Sequence, residues 1–168
     1  DPQTIRADVG DYRQVRRAIA EIRPQVVYHL AAEFGRINGE HYYEQVHRTN
    51  ITGTKNVLEA QHEFPFRLIF ASSSEVYGEA ESDAIPESYP RTHPQPQLTN
   101  DYALSKWMNE RQIENAAARY GTESMILRFF NAYGPGEAYH PFRSVVALFC
   151  HKALHGEPLP VFKNYHRT

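Results

Sequence analysis

Apolar residues soon settle into helical spacing: Val15, Ala18, Ile19 and Ile22 lie three or four apart and would line one helix face. Asp11 stands where a cap belongs, and Pro24 closes the run. Before it, Thr4–Val9 (TIRADV) reads as a short strand. After it, Gln25–Ala32 (QVVYHLAA) reads as a buried strand, and Tyr43–Glu63 as a long helix with Val46, Ile51, Val57 and Leu58 toward the core. Arg67–Ser72 (RLIFAS) is the third predicted strand and Ser124–Phe130 (SMILRFF) the fourth. Between them, Tyr102–Tyr120 carries a helical pattern closed by Gly121, a common C-terminal stop. Residues 79–101 are polar and hold Pro86, Pro90, Pro94 and Pro96, which predicts an extended loop too long to be a mere connection. Phe142–His155 reads as a last helix ending at Gly156, with a short strand at Leu159–Phe162.

Strand and helix therefore alternate. After the first strand the apolar runs are mostly continuous, as expected where helices cover both sheet faces. The predicted fold class is α/β, a doubly wound parallel sheet of Rossmann-like kind. One domain over 1–168 is expected, with a substrate-binding region beginning near 137. The 168 residues, 41% hydrophobic and 23% charged, can build one real core. A net charge of −2 gives no reason to expect a nucleic-acid or membrane partner. No apolar run approaches the ~18 residues of a membrane span. A single cysteine, Cys150, excludes an intramolecular disulfide framework and suits a cytoplasmic setting. Its neighbours Val145, Val146, Leu148 and Phe149 predict a core thiol. His151 and His155 stand four apart, but Lys152 occupies the place of a metalloprotease glutamate and no third ligand is evident, so no metal is expected.

The chemistry concentrates where the predicted strands end, the edge at which doubly wound sheets bind ligands. Asp8-Val9 ends the first strand, Leu30-Ala31-Ala32 the second, Ser72-Ser73-Ser74-Glu75 the third and Asn131 the fourth. Small Ala31 and Ala32 would let a flat ligand approach the backbone. Tyr102 and Lys106, four apart at a helix start, would share one face. An ammonium beside a phenol favours the phenolate, so the pair predicts a tyrosine with a lowered pKa, able to act as a general acid/base. Singly, these residues also have plain readings: Asp8 as a turn cap, Asn50 as an exposed helix residue, the serines as a strand-end turn, Glu75 as an edge ion pair.

Taken in order, Tyr102-x-x-x-Lys106, Ser72-Ser73-Ser74-Glu75-Val76-Tyr77-Gly78, His29-Leu30-Ala31-Ala32, Asn50-Ile51-Thr52-Gly53-Thr54 and Arg128-Phe129-Phe130-Asn131-Ala132-Tyr133-Gly134-Pro135-Gly136 resemble the extended short-chain dehydrogenase/reductases that modify nucleotide sugars. The resemblance implies NAD as cofactor, a nucleotide-sugar substrate and a homodimer built on helices 43–63 and 102–120. It implies that Tyr102 removes the sugar 4-hydroxyl proton, that Lys106 lowers the tyrosine pKa and binds the nicotinamide ribose, and that Ser73 bonds the sugar 4-oxygen. Asp8 and Val9 would hold the adenine, and Leu30, Ala31 and Ala32 would wall the cofactor diphosphate. Ser72 and Phe129 would border the cofactor, Asn131 and Arg167 would meet the substrate diphosphate, and Asn50 would steady the site.

Two departures from the family pattern matter. The glycine-rich GxxGxxG turn is absent, so the chain is expected to be a piece lacking that unit and a C-terminal lobe. The Ser74-Glu75 pair resembles decarboxylases and some 4,6-dehydratases more than simple epimerases, because a carboxylate can act as base on the acidic C5 of a 4-keto sugar. The expected function is thus a 4,6-dehydratase or decarboxylase. A 4-epimerase, and a non-catalytic dinucleotide-binding module, remain the alternatives.

Overall fold

The computed structural model describes residues 4–34, 41–80, 84–92, 97–137, 139 and 145–160. The chain divides into two compact units, Asp1–Phe129 and Phe130–Thr168.

The first unit is a three-stranded parallel sheet with helices packed on it. Helix α1, Tyr12–Ile22, starts where the Asp11 carboxylate accepts from the Arg13 and Gln14 amides. It ends at Arg23, whose φ of 50° is left-handed, one residue before Pro24. Strand β1, Val26–His29, follows. Helix α2, Tyr43–Val46, runs through a π-helical turn, His47–Thr52, into α3, Gly53–Glu63. Strand β2, Arg67–Ser73, passes into a 3₁₀ turn at Ser74–Tyr77. The short helix α4, Tyr89–Thr92, interrupts the loop predicted over 79–101. Helix α5, Asp101–Tyr120, is capped by Asn100 and stopped by Gly121 at φ 68°. Strand β3, Ser124–Phe129, completes the sheet.

The order is β1-β2-β3, every pairing parallel, with Tyr28 opposite Ile69 and Ile69 opposite Met125. Helix α1 packs on α3, α3 on α5, and α5 on β2. Val15, Val57, Leu58, Phe66, Leu68, Phe70, Ile113 and Ala116 form the resulting core. At amide-to-carbonyl level the sheet's parallel ladders need the crossover helices that the alternating pattern predicted.

Three expectations are corrected. Thr4–Val9 joins no strand ladder among the described residues. Its end is instead held by helices: Val9 O accepts from Asn56 Nδ2 at 2.8 Å, and Val9 lies so close to Gly53 that a Cβ there would meet its Cγ2 at 2.9 Å. Burial along the strands alternates rather than running continuously, because helices cover one face only among the described residues. On the other face Tyr28, Met125 and Phe129 are 66%, 53% and 49% exposed. Cys150 is exposed rather than a core thiol.

The second unit contributes helix α6, Val145–Leu154, which buries none of its residues despite its apolar composition. That is why the cysteine is open. Within this unit the Tyr139 and His151 rings stack at 3.7 Å, and His155 Nδ1 lies 2.8 Å from His151 O. No strand occurs at Leu159–Pro160, and the remainder of that predicted strand lies outside the described residues.

Candidate functional site

The carboxyl ends of β1 and β2 and the start of α5 bring the predicted chemistry together. Asn100 sets the start of α5, its Oδ1 accepting from Ala103 N at 2.8 Å. The next turn carries Tyr102 and Lys106 inward. Lys106 is 4% exposed, its Nζ donating to Ala71 O at 2.7 Å and lying 4.9 Å above the Phe70 ring. It sits 5.8 Å from the Tyr102 ring centroid. Burial pushes the ammonium down to about 8. Ser105, between the two, is fully buried and donates to Tyr102 O at 2.8 Å, which stiffens this turn.

The electrostatics of Tyr102 reverse the expectation drawn from spacing. Its phenol is held above the ordinary tyrosine value, first by burial and also by the Glu75 charge, while a hydrogen bond with Ser73 pulls it back down. Lys106 does not lower it. The helical spacing does place both side chains on one face, but the ammonium is directed at the Ala71 carbonyl.

Ser73 and Glu75 stand directly across from the phenol. Ser73 Oγ accepts from Glu75 N at 3.2 Å, capping the 3₁₀ turn and placing the glutamate. Glu75 Oε2 accepts from Asn100 Nδ2 at 3.3 Å. Ser74 opens the same turn and is half-buried. Ser72 departs from its predicted place beside the cofactor. Alternation along β2 turns its side chain under α5, where its hydroxyl donates to Glu110 Oε1 at 2.6 Å. Phe129, one register on and paired with Ser73, is exposed on the open sheet face.

Asn50 is buried, not an exposed helix residue. Its Oδ1 accepts from Glu33 N at 2.8 Å, and its Nδ2 donates to Glu33 O and Ser105 Oγ, both at 3.0 Å. The π-helical turn brings it to this position, tying the loop after β1 to the Tyr102 turn. Asp8 keeps its plain reading as a turn cap, accepting from Gly10 N at 2.8 Å, and it also pairs with Arg48. Leu30 is 66% exposed, Ala31 is exposed and Ala32 half-buried, so an uncharged bed follows β1. Asn131 is exposed in the second unit, and Arg167 lies outside the described residues.

Sequence reasoning missed the charged network beneath the site. Glu110 is fully buried and takes both arms of Arg128, Nε to Oε1 at 2.9 Å and Nη2 to Oε2 at 2.8 Å. Arg128 also donates to Tyr77 OH at 3.2 Å and Glu87 O at 2.6 Å, and its pairing with Glu110 raises its pKa further. The signal was available: Glu110 lies on the inward stripe of α5, four residues beyond Lys106. His29 was missed in the same way. It is buried against Thr54 Oγ1 at 3.1 Å, and burial, aided by the Lys106 charge, lowers it to about 4.

These donors suit a dinucleotide and a sugar alcohol together. A buried ammonium and phenol offer protons to ribose-like hydroxyls, and the small side chains of Ala31 and Ala32 leave the backbone after β1 open to a ligand. Such a parallel sheet with its polar residues at the strand ends defines a Rossmann-like α/β protein. The chain matches the NAD dependent epimerase/dehydratase family over residues 1–167 and belongs to it; NAD is that family's cofactor. It is 35% identical to a UDP-glucose 4-epimerase of Mycoplasma genitalium over 76% of this chain and 38% of that protein. It is 32% identical to a dTDP-glucose 4,6-dehydratase of Neisseria meningitidis, over 92% of this chain and 45% of that protein. A UDP-N-acetyl-alpha-D-glucosaminuronate decarboxylase of Bacillus cytotoxicus is 33% identical over 85% and 44% of the two chains. The crystal structure of Thermus thermophilus UDP-glucose 4-epimerase with NAD superposes with a TM-score of 0.80 at 32% identity, covering 91% of this chain and 49% of that one. The chain thus spans less than half the length of these curated relatives.

Proposed function

We propose that the protein acts on a nucleotide sugar through a transient 4-keto intermediate, and that it completes the reaction by dehydration or decarboxylation. The observation that carries this reading is Glu75, placed by the Ser73 cap and close enough to Tyr102 for its charge to act on the phenol. Relatives of all three reaction types have similar identity, so the choice rests on this carboxylate.

Tyr102 takes the proton of the sugar 4-hydroxyl, and Ser73 holds that oxygen. Lys106, fixed on Ala71 O, keeps further protons for ribose hydroxyls. Bound NAD would supply a hydride acceptor and a positive charge beside the buried phenol. Asp8 and Val9 would meet the adenine, and Leu30, Ala31 and Ala32 the diphosphate. Asn131 and Arg167 would meet the substrate diphosphate. Once C4 is a ketone, the C5–H bond is acidic. Glu75 takes that proton, the electron pair forming the enolate, and gives it to the C6 oxygen so that water departs. In the decarboxylation the C5–carboxylate bond breaks into the same enolate, carbon dioxide leaves, and C5 takes a solvent proton by way of Glu75.

The experiment is a panel of UDP-, dTDP-, GDP- and CDP-sugars with NAD, with products resolved by mass. Loss of water or of carbon dioxide supports the reading. A product of unchanged mass with inverted C4 replaces it with the epimerase. Tyr102→Phe should cut turnover about 10²–10⁴-fold while nucleotide binding persists; an undiminished rate removes the acid/base assignment and favours a non-catalytic binding module. A homodimer through α3 and α5 is part of the proposal, supported by Leu104 and Met108, 45% and 43% exposed one turn apart on α5. Light scattering on Leu104→Glu should then report a monomer.

A further inference from the structure

The geometry points to Asn100 as a positioning residue that holds Glu75 for its C5 step while also setting the helix that presents Tyr102. This inference rests on the reading of Glu75 given above and adds a residue to it.

Asn100 is 7% exposed, in the extended conformation of a helix cap. Its two side-chain atoms serve two different elements. Oδ1 accepts from Ala103 N at 2.8 Å, closing the first turn of α5 two residues before Tyr102. Nδ2 donates to Glu75 Oε2 at 3.3 Å, reaching the 3₁₀ turn that follows β2. Capping alone needs only an acceptor, and serine, aspartate or asparagine serve almost equally. Among these asparagine alone carries a donor on an atom separate from its capping oxygen; ionised aspartate has none, and serine would have to donate from the capping atom itself.

The amide therefore links the phenol and the carboxylate through one rigid group. Glu75 has its own amide on Ser73 Oγ at 3.2 Å, which fixes the backbone of the turn. Its side chain still has rotatable bonds, and the Asn100 donor restricts one carboxylate oxygen. No proton changes hands at Asn100. With dTDP-glucose the transfer is from C5 to Glu75, with the electron pair passing into the enolate of the 4-ketone. With UDP-glucuronate the C5–carboxylate pair forms that enolate as carbon dioxide leaves, and Glu75 relays a solvent proton to C5.

The test separates the cap from the donor. Asn100→Ser keeps an acceptor for Ala103 N and removes the amide donor to Glu75, leaving a shorter side chain whose one oxygen already serves the cap. Asn100→Asp keeps the acceptor and sets a second carboxylate against the first. The probes are dTDP-glucose and UDP-glucuronate, each with NAD in deuterated water, and the readout is deuterium incorporated at C5. Both dehydration and decarboxylation deliver a solvent hydrogen there, whereas C4 epimerisation does not.

Asn100→Ser is expected to slow C5 labelling about 10- to 100-fold, the usual effect of losing a donor to a charged group. Asn100→Asp should slow it at least as much. The unfolding midpoint of Asn100→Ser should stay within about 2 °C of the parent, because the cap survives. Substrate-driven NADH formation, which reads the Tyr102 step alone, should change by less than about twofold in the serine variant. Wild-type labelling in Asn100→Ser, with labelling lost in Glu75→Gln, overturns this inference and leaves Glu75 in its role. Wild-type labelling in Glu75→Gln, or none at C5 in the parent with either sugar, overturns the Glu75 reading and this one with it. A serine variant that loses NADH formation in step with labelling overturns this inference, because the amide then serves the Tyr102 step as much as the Glu75 step.

Discussion

Two Arg–Glu pairs brace opposite ends of the same sheet, and they differ chiefly in burial. At the carboxyl end, Arg128 and Glu110 are 11% and 0% exposed and share two hydrogen bonds. At the amino end, Arg67 and Glu123 pair at 3.0 Å with 60% and 71% of their side chains exposed. The buried pair has Ser72, Tyr77 and Glu87 O as further partners; the exposed pair leans on water. The amino end is instead tied by a neutral amide, Gln61, whose Nε2 donates to Phe66 O and Glu123 O, both at 2.8 Å. Of the two pairs, only the one beneath the candidate site is desolvated, where a low dielectric strengthens every dipole aimed at a ligand. The other end is held with groups that are cheaper to bury.

The sharpest way to break this contrast is to remove one partner of the buried pair. Glu110→Ala leaves the Arg128 guanidinium buried and Ser72 without its acceptor, and should cost about 3–5 kcal/mol of stability in urea unfolding. The double replacement Glu110→Leu with Arg128→Met should recover most of that loss, because an apolar pair of similar volume removes the desolvation cost. If the single variant falls by less than about 1 kcal/mol, the carboxyl end is not braced by this pair.

A second effect at the same end depends on pH. His29 takes its proton at about 4 in the folded protein and near 6.5 when unfolded. The unfolded chain therefore binds more protons between those values. The stability due to keeping His29 neutral is fully present above pH 6.5 and is lost as pH falls toward 4. The thermal midpoint should drop across that window, and His29→Asn should flatten the drop. The groups facing the ring are Thr54, Phe70 and Lys106, of which only Lys106 is charged. Its own linkage lies apart, with stability rising from about pH 8 to 10.5 as the unfolded chain keeps the proton longer.

At the neutral end, Gln61→Leu preserves volume but removes the side-chain donor to the buried Phe66 carbonyl, while Glu123 O keeps its bond from Leu68 N. Its cost should be about 1–3 kcal/mol, below that of Glu110→Ala and independent of pH between 5 and 9. A pH-dependent loss would mean that ionic groups at this end carry more than their exposure allows.

What the sequence disclosed follows from how local each feature is. Asp11 and Gly121 bound their helices through contacts within four residues, and both were legible. The parallel sheet was legible because its alternation of elements is a long-range pattern written locally. Thr4–Val9 has strand-like residues, yet a strand exists only with a partner, and its neighbours are Gly53 and Asn56 on a helix. Glu110 reads as a surface helix residue until β3 pairs beside β2 and delivers Arg128 beneath it. The Tyr102–Lys106 spacing was right and its electrostatic consequence wrong, since the ammonium's direction depends on Ala71, a distant strand carbonyl.

The smallest expected effect is the control that gives the comparison its meaning. Arg67→Ala removes the same guanidinium–carboxylate chemistry as a loss of Arg128, but from a site where both partners are already hydrated. Coulomb attraction there is weakened by water, and the long side chains lose entropy in pairing, so the cost should be about 0–1 kcal/mol. Raising ionic strength to 1 M should shrink even that, because the screening length falls to about 3 Å. The buried pair should show no comparable salt dependence. If Arg67→Ala instead matches Glu110→Ala in urea, burial does not distinguish the two ends, and the account of charge gathered beneath the site fails at its base.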